Sequence, residues 1–175
     1  MLSRVLRGGM IVAVALVGIA VAAEQSATFR GTVFRSKSSS GVEVVTLATP
    51  AGTYTIVMDD RGTKLAKDMA GKKAEVIGIV TRDGSTSLLR VQSFSPILTG
   101  RIEAVKNQQG GVMIVRLVTP DGTYEIPLDD KGIELGKKWD GQTVDAVGTV
   151  SKKKFLFIGK NEFTVKSFER HKEAG

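Results

Sequence analysis

The strongest constraint on the fold is that the chain repeats itself. The stretch "TPAGTYTIVMDDRGTKLAKDMAGK" at 49–72 returns as "TPDGTYEIPLDDKGIELGKKWDGQ" at 119–142, and 12 of the 24 aligned positions are identical. Further matches lie outside this block, such as Gly31 with Gly100 and Gly78 with Gly148. A period of about 70 residues is longer than the roughly 20–50 residues of a solenoid repeat, so it predicts two small domains in tandem.

We place copy one at 24–96 and copy two at 97–175. The segment "SPIL" at 95–98 is predicted to be the linker, with Pro96 marking the boundary. So short a linker predicts two domains in close contact.

Residues 1–23 resemble a targeting segment rather than part of the fold. Arg4 and Arg7 precede an uncharged apolar run that ends in small residues at Ala23. This pattern predicts a secretory signal peptide cleaved near Ala23, and hence a periplasmic or secreted protein with no membrane span after cleavage. The alternative is an uncleaved anchor, for which the run is short compared with the roughly 20 apolar residues of a span.

Composition removes several kinds of chemistry. The chain has no Cys and one His, His171, in its tail. Thiol nucleophiles, Cys or multi-His zinc sites, haem attachment and a Ser-His-Asp triad are therefore not expected. No nucleotide-binding glycine motif or nucleophile-elbow motif is found either. The sequence predicts no catalytic residue, no metal and no cofactor, and so a protein that is not an enzyme. Its net charge of +7 is mildly basic and permits anionic partners.

Each copy has the same order of predicted elements. Apolar alternation and β-branched residues indicate five strands, with one short helix between the third and fourth. In copy one the strands are predicted at 29–36, 42–49, 53–59, 73–80 and 88–94, and the helix at 62–72. The third strand of copy two then contains Pro127, which argues mildly against open edge pairing there.

The repeated Asp-Asp pair lies where the third strand ends and the helix begins. Asp59-Asp60 and Asp129-Asp130 are predicted to cap the first helical turn, because an Asp there accepts hydrogen bonds from free backbone N–H groups. A metal site and a general acid/base pair are the alternatives. Gly71 and Gly141 fit the stop of the helix, and Met69 and Trp139 are predicted to plug the ends of two barrels.

Three strands, a helix and two strands in about 70 residues is the order of the OB-fold, a five-stranded Greek-key barrel. The fourth strands read "AEVIGIV" and "VDAVGTV", and Gly31, Gly78, Gly100 and Gly148 fit tight strand bends. In these features the chain resembles bacterial periplasmic OB-fold proteins, here in two copies rather than one. The resemblance implies a mostly β protein of two tandem five-stranded barrels and a non-catalytic binding role in the cell envelope. It transfers no site residue.

OB-folds bind ligands on the face of strands 2 and 3. Strand alternation places Phe34 on that face, and its equivalent in copy two is Glu103. An exposed Phe beside Arg30 and Lys37 could stack on a planar ligand; the alternative is that Phe34 packs against the other copy. The remaining outward positions are Thr32, Thr46, Thr53, Thr55, Arg101, Arg116, Thr123 and Glu125.

The one basic cluster is Lys152, Lys153 and Lys154, predicted to lie in the longer last loop of copy two. It could meet an anionic lipid, a polysaccharide or nucleic acid, or could simply be solvated. Nucleic-acid binding needs several exposed aromatics, and Tyr54 and Tyr124 share a phase with the core. The main hypothesis is therefore a binding or adaptor protein for an envelope partner, and the second is a binder of nucleic acid or another polyanion. The oligomeric state stays open. The predicted ligand-binding residues are Arg30, Thr32, Phe34, Thr53, Thr55, Arg101, Arg116, Lys152, Lys153 and Lys154.

Overall fold

A computed structural model describes residues 25–38, 40–155 and 158–172, without the side chains of 153–160. The predicted signal peptide lies outside the described residues. The described chain is mostly β, with two helices. The elements are β1 (Ala27–Lys37), β2 (Glu43–Thr49), β3 (Gly52–Ile56), α1 (Asp60–Met69), β4 (Lys73–Asp83), β5 (Thr86–Lys106), β6 (Val112–Thr119), β7 (Gly122–Ile126), α2 (Asp130–Lys138), β8 (Thr143–Phe155) and β9 (Ile158–Arg170).

The nine strands form one mixed hydrogen-bonded sheet in which each copy makes a ring of pairings. In copy one β1 pairs with β2, β2 with β3, β3 with β5, β5 with β4, and β4 with β1. In copy two the same path runs β5, β6, β7, β9, β8 and back to β5. Among the described strand pairs, β3–β5 and β7–β9 are parallel and the others are antiparallel. Helices α1 and α2 occupy the same place in the two paths.

Strand β5 belongs to both rings, which corrects the predicted linker. Residues 95–98 are extended and paired within a 21-residue strand, so the predicted last strand of copy one and first strand of copy two are one element. Pro96 pairs with Ala74 at the end of the β4 ladder, and Ile97 opens the ladder with β8. Proline is tolerated at this change of partner because its missing N–H falls where one ladder stops.

Each copy has its own hydrophobic core. Leu47, Leu65 and Val76 are fully buried in copy one, and Leu117, Leu135 and Phe163 in copy two. Of the two predicted plugs, Met69 is buried in the core of copy one and Trp139 packs against the core of copy two. Trp139 also contacts Phe168 edge to face, with ring centroids 5.6 Å apart. Burying such side chains is the main favourable term in folding.

The repeated motif Asp-Asp-(Arg or Lys)-Gly starts both helices, and the predicted cap is confirmed for the first Asp of each pair. Asp59 accepts hydrogen bonds from the backbone N–H groups of Arg61 and Gly62, and Asp129 accepts one from Gly132 at 2.9 Å. The basic residue then donates its side chain to a backbone carbonyl of the last strand, from Arg61 to Gln92 and from Lys131 to Lys166.

The third position of this motif after the capping Asp must be glycine because there is no room for a side chain. A Cβ on Gly62 would lie 2.0 Å from the carbonyl oxygen of Val57, and one on Gly132 would lie 1.9 Å from that of Pro127. Strand glycines are similarly crowded, since a Cβ on Gly78 would lie 2.3 Å from the Arg90 carbonyl oxygen. Gly71 and Gly141 have positive φ, but they follow the last helical residues, Met69 and Lys138, by two and three positions, and their N–H groups donate to Val33 and Ile102.

The third strand is shorter than predicted in both copies. It ends at Ile56 and at Ile126, so Met58 lies outside β3 and is 45% exposed, and Pro127 lies outside β7. In copy one the next residues lead to Asp59, which has an extended backbone and forms the N-cap of α1.

We expect the two Asp residues of each pair to contribute unequally to stability. Asp59→Ala should lower the free energy of unfolding by about 1 kcal/mol because it removes the cap. Asp60→Ala removes only a favourable charge at the helix N-terminus and should cost a few tenths of a kcal/mol. Urea unfolding of the two variants measures the difference, and equal losses would contradict the assignment of the cap.

Candidate functional site

On the outward side of β1, β2 and β3 in copy one, Arg30 is followed by a surface without charged side chains, which we call the neutral face. Val33, Val45 and Leu47 are buried, so the alternate residues on these strands point outward. The ladder aligns them in three rows, which are Thr32–Ala48–Thr53, Phe34–Thr46–Thr55 and Ser36–Val44. The predicted site residues Thr32, Phe34, Thr53 and Thr55 are therefore brought together.

Phe34 is the one large aromatic side chain on the neutral face. It is 50% exposed, so it is not buried against the other copy. The basic residue next to Phe34 on β1 is Arg35, and its guanidinium forms an ion pair with Glu43 at 2.6 Å. Phe34 thus presents its ring to solvent among hydroxyl and methyl groups rather than among free cations.

Arg30, which was predicted to assist Phe34, has a different role. Its guanidinium lies 2.9 Å from Glu75 in copy one and 2.9 Å from Glu169 in copy two. Hydrogen bonding to Glu75 raises the pKa of Arg30 above its ordinary value, with Glu169 adding to the effect. The charge of Arg30 is therefore used in joining β1 to β4 and to β9.

The equivalent surface of copy two is charged. Glu103 pairs with Arg116, Arg116 with Glu125, and Glu125 with Glu162 across β5, β6, β7 and β9. Arg116 is half-buried between two carboxylate-bearing positions. Three acidic residues and one arginine in this row make it a poor surface for an anion.

Arg101 lies at the border of this charged surface. It is exposed, and its positive charge is one of the causes that lower the pKa of Asp140, after the backbone N–H of Ala104 and the ammonium of Lys106. Arg101 therefore acts next to Asp140 rather than at the middle of the sheet face.

The predicted lysine cluster lies on a strand, not in a loop. Lys152, Lys153 and Lys154 belong to β8 and pair with Asn161, Lys160 and Gly159 of β9. Lys152 is exposed, while the side chains of Lys153 and Lys154 lie outside the described residues. In the described pairings this end of the hairpin bonds only to itself, so β8 and β9 extend past the row shared with β7.

A set of polar contacts joins the two copies. Besides Arg30 with Glu169, Lys166 of copy two donates to the buried Ser95 hydroxyl of copy one at 2.7 Å. Within copy two, Thr99 donates to Asp145. His171 Nδ1 lies 2.9 Å from the second oxygen of Asp145. Sequence reasoning missed these residues because each contact joins positions far apart in the chain.

Asp145 is the carboxylate at the centre of these contacts. Burial alone would raise the pKa of Asp145, but hydrogen bonds from Thr99 and His171 and the positive charges of Lys73 and His171 outweigh it. The net effect is a lowered pKa, so the ionised form is favoured in the folded protein.

Comparison with known proteins gives little to add. No family model matches the chain, and no curated protein matches it. Among solved structures, the single-stranded DNA-binding protein from Thermus aquaticus is similar over 86% of this chain and 94% of its own, with 13% identity and a TM-score of 0.29. A deletion mutant of that protein overlaps 86% and 95%, with 15% identity and a TM-score of 0.26. At TM-scores this low, neither structure defines a fold or a ligand for this chain.

No group of three His, Asp or Glu side chains in the described parts of the chain is arranged to hold a metal ion. Neither of the helices there is long and apolar enough to cross a bilayer.

The contacts of Asp145 predict a pH-dependent contribution to stability. Because its folded pKa is lowered, this contribution is present above the unfolded carboxylate pKa of about 3.9 and is lost as pH falls through the folded value. Asp145→Asn should lower the free energy of unfolding by about 1–2 kcal/mol at pH 7, with the loss shrinking below about pH 4. Thermal or urea unfolding across pH tests this, with the exposed Asp83→Asn as control. A loss that does not change with pH would contradict it.

Proposed function

We propose that this chain is a non-catalytic binding protein built from two OB-type barrels. The support is the path of strand pairing, in which strands 1, 2, 3, 5 and 4 of each copy return to strand 1. A helix lies between strands 3 and 4 in both copies, as in the five-stranded Greek-key barrel.

The neutral face is the proposed binding surface. The observation that carries this proposal is Phe34, a half-exposed aromatic side chain at the centre of a three-stranded face without charge. Buried aromatics supply much of the binding energy in protein interfaces, whereas scattered charges supply little. The surface therefore suits a partner with an uncharged, partly apolar surface, and we favour a protein.

The cell envelope is the proposed location. The leader at 1–23 carries the pattern of a signal peptide, and the repeat resembles periplasmic OB-fold proteins. Both features favour an exported adaptor with a partner in the periplasm or outside the cell. Capture of partners from an envelope extract by the protein, isolated from cells that express the full chain, tests location and function together.

Phe34→Ser should weaken partner capture about 30-fold, which corresponds to about 2 kcal/mol of binding free energy. Folding should be unaffected because the ring is exposed. Glu103→Ser changes the equivalent position of copy two and is the matched control. The measurement is a titration of captured partner after washes at low and high salt. Equal capture by both variants would reject the neutral face as the binding surface.

A second candidate function is binding of nucleic acid or another polyanion. The observation in its favour is the self-paired end of the β8–β9 hairpin, which carries Lys152, Lys153, Lys154 and Lys160 within nine positions. A basic arm that extends from a barrel can follow a phosphate backbone. The acidic row of copy two limits such a ligand to the hairpin.

The salt dependence of binding to a labelled oligothymidine tests this candidate. Changing Lys152, Lys153 and Lys154 to Gln should reduce the slope of log affinity against log salt by about 2, since each lost phosphate contact contributes about 0.7. The control changes the same charge elsewhere, at Lys37, Lys67 and Lys137. The candidate fails if the native protein does not bind at low salt, or if both triple variants show the native slope.

A further inference from the structure

A groove runs between the two copies and is lined by residues of both. It has a volume of about 700 Å³, which is within the range of small-molecule sites. Its floor is the part of β5 around Pro96. One wall is the outer side of α1, and the other consists of Asp121 in the β6–β7 turn, Tyr124, and Val150 of β8.

The α1 wall is cationic. Arg61 and Lys64 lie three residues apart and so on one side of the helix, and Lys72 follows the helix end. Arg61 is held by the Gln92 carbonyl. Within the described parts of the chain, the ammonium groups of Lys64 and Lys72 have neither a hydrogen bond nor an ion pair. Lys73 lines an adjoining hollow that shares Lys72 and Asp121 with the groove.

These lysines are specific to the copy whose helix faces the groove. Copy two carries Glu134 where copy one has Lys64, and Gln142 where it has Lys72. Glu134 is itself paired with Lys138 at 3.2 Å. The two helices start with the same capping motif, so the difference is confined to side chains that the fold does not require.

The floor and the second wall offer apolar surface. Phe94, Leu98 and Tyr124 are half-buried and pack on the two cores while still lining the groove. The Tyr124 ring is fixed edge to face on Phe163, with centroids 6.3 Å apart. Val150 adds a side chain that is 40% exposed. A ligand here would meet ring faces and methyl groups over most of its length.

We propose that this groove binds a small amphipathic anion. Its apolar, ring-bearing body lies against Phe94, Leu98 and Tyr124, and its carboxylate, sulfonate or phosphate group lies between Lys64 and Lys72. The two carboxylates of the groove, Asp68 and Asp121, are outnumbered by its cations, so an anion is favoured over a cation. The site includes neither the residues of the neutral face nor the lysines at the end of the hairpin.

The probe for this site is 1-anilinonaphthalene-8-sulfonate, whose fluorescence rises in apolar surroundings, with uncharged N-phenyl-1-naphthylamine as its matched analogue. Both are titrated into the full-length protein with Phe34→Ser as the background, so that the neutral face does not contribute. The sulfonate should bind more tightly than the neutral analogue.

Lys64→Gln with Lys72→Gln should weaken sulfonate binding at least tenfold and change binding of the analogue less than twofold. The control pair, Lys37→Gln with Lys67→Gln, removes the same charge outside the groove and should change neither. Val150→Ser should weaken both probes. The proposal is overturned if the native protein does not bind the sulfonate, if the analogue binds equally well, or if the two lysine pairs give the same loss.

Discussion

The hydrogen-bonded ladder along β5 is the constraint on which the rest of the structure depends. One continuous strand closes the ring of copy one through β4 and opens the ring of copy two through β8 and β6. Because neighbouring residues of a strand point to opposite sides, a continuous strand also fixes the rotation of one ring relative to the other. The floor of the groove and the Thr99–Asp145 contact lie on this strand, and the Arg30–Glu169 pair joins strands of the two rings that it connects.

The two copies share the residues that the fold requires and differ in the side chains that are exposed to solvent. The capping Asp, the basic residue that reaches the last strand, and the crowded Gly recur in both copies. By contrast, Phe34 of copy one is replaced by Glu103 at the equivalent position of copy two, and Lys64 is replaced by Glu134. A side chain on an outward position costs little to exchange, whereas a Cβ placed 2 Å from a carbonyl oxygen forces the backbone to move. The two copies therefore share one architecture and present two different surfaces.

Local patterns predicted the local structure well. Alternation located the strands, and an Asp before a helical run identified the cap at Asp59, since both depend on neighbours within a few residues. Comparison of the copies also identified Phe34 as outward, because a core position would not accept Glu103. The solvent-exposed Phe34 and the hydroxyl groups around it were thus available from sequence.

The features that the sequence did not predict depend on contacts between residues far apart in the chain. Pro96 was predicted to mark a linker because the sequence does not show that the strand changes its partner from β4 to β8 at this residue. Arg30 was predicted to be a free cation because the sequence does not show its contact with Glu169, which lies 139 residues away in the chain. The groove was not anticipated at all, because its two walls come from different copies and no local pattern places them together.

The shared strand has a consequence for the order in which the chain folds during synthesis. Copy one has all its strands once the residues before Pro96 have left the ribosome, and its ring can then close. Once it pairs in this ring, the closing strand is held extended as far as Pro96 and continues into copy two. Copy two thus begins folding on a preformed strand, and the entropic cost of ordering its first strand is partly met before its own contacts form. We expect vectorial folding in this chain to be templated by the first ring, a property that two barrels joined by a flexible tether would lack.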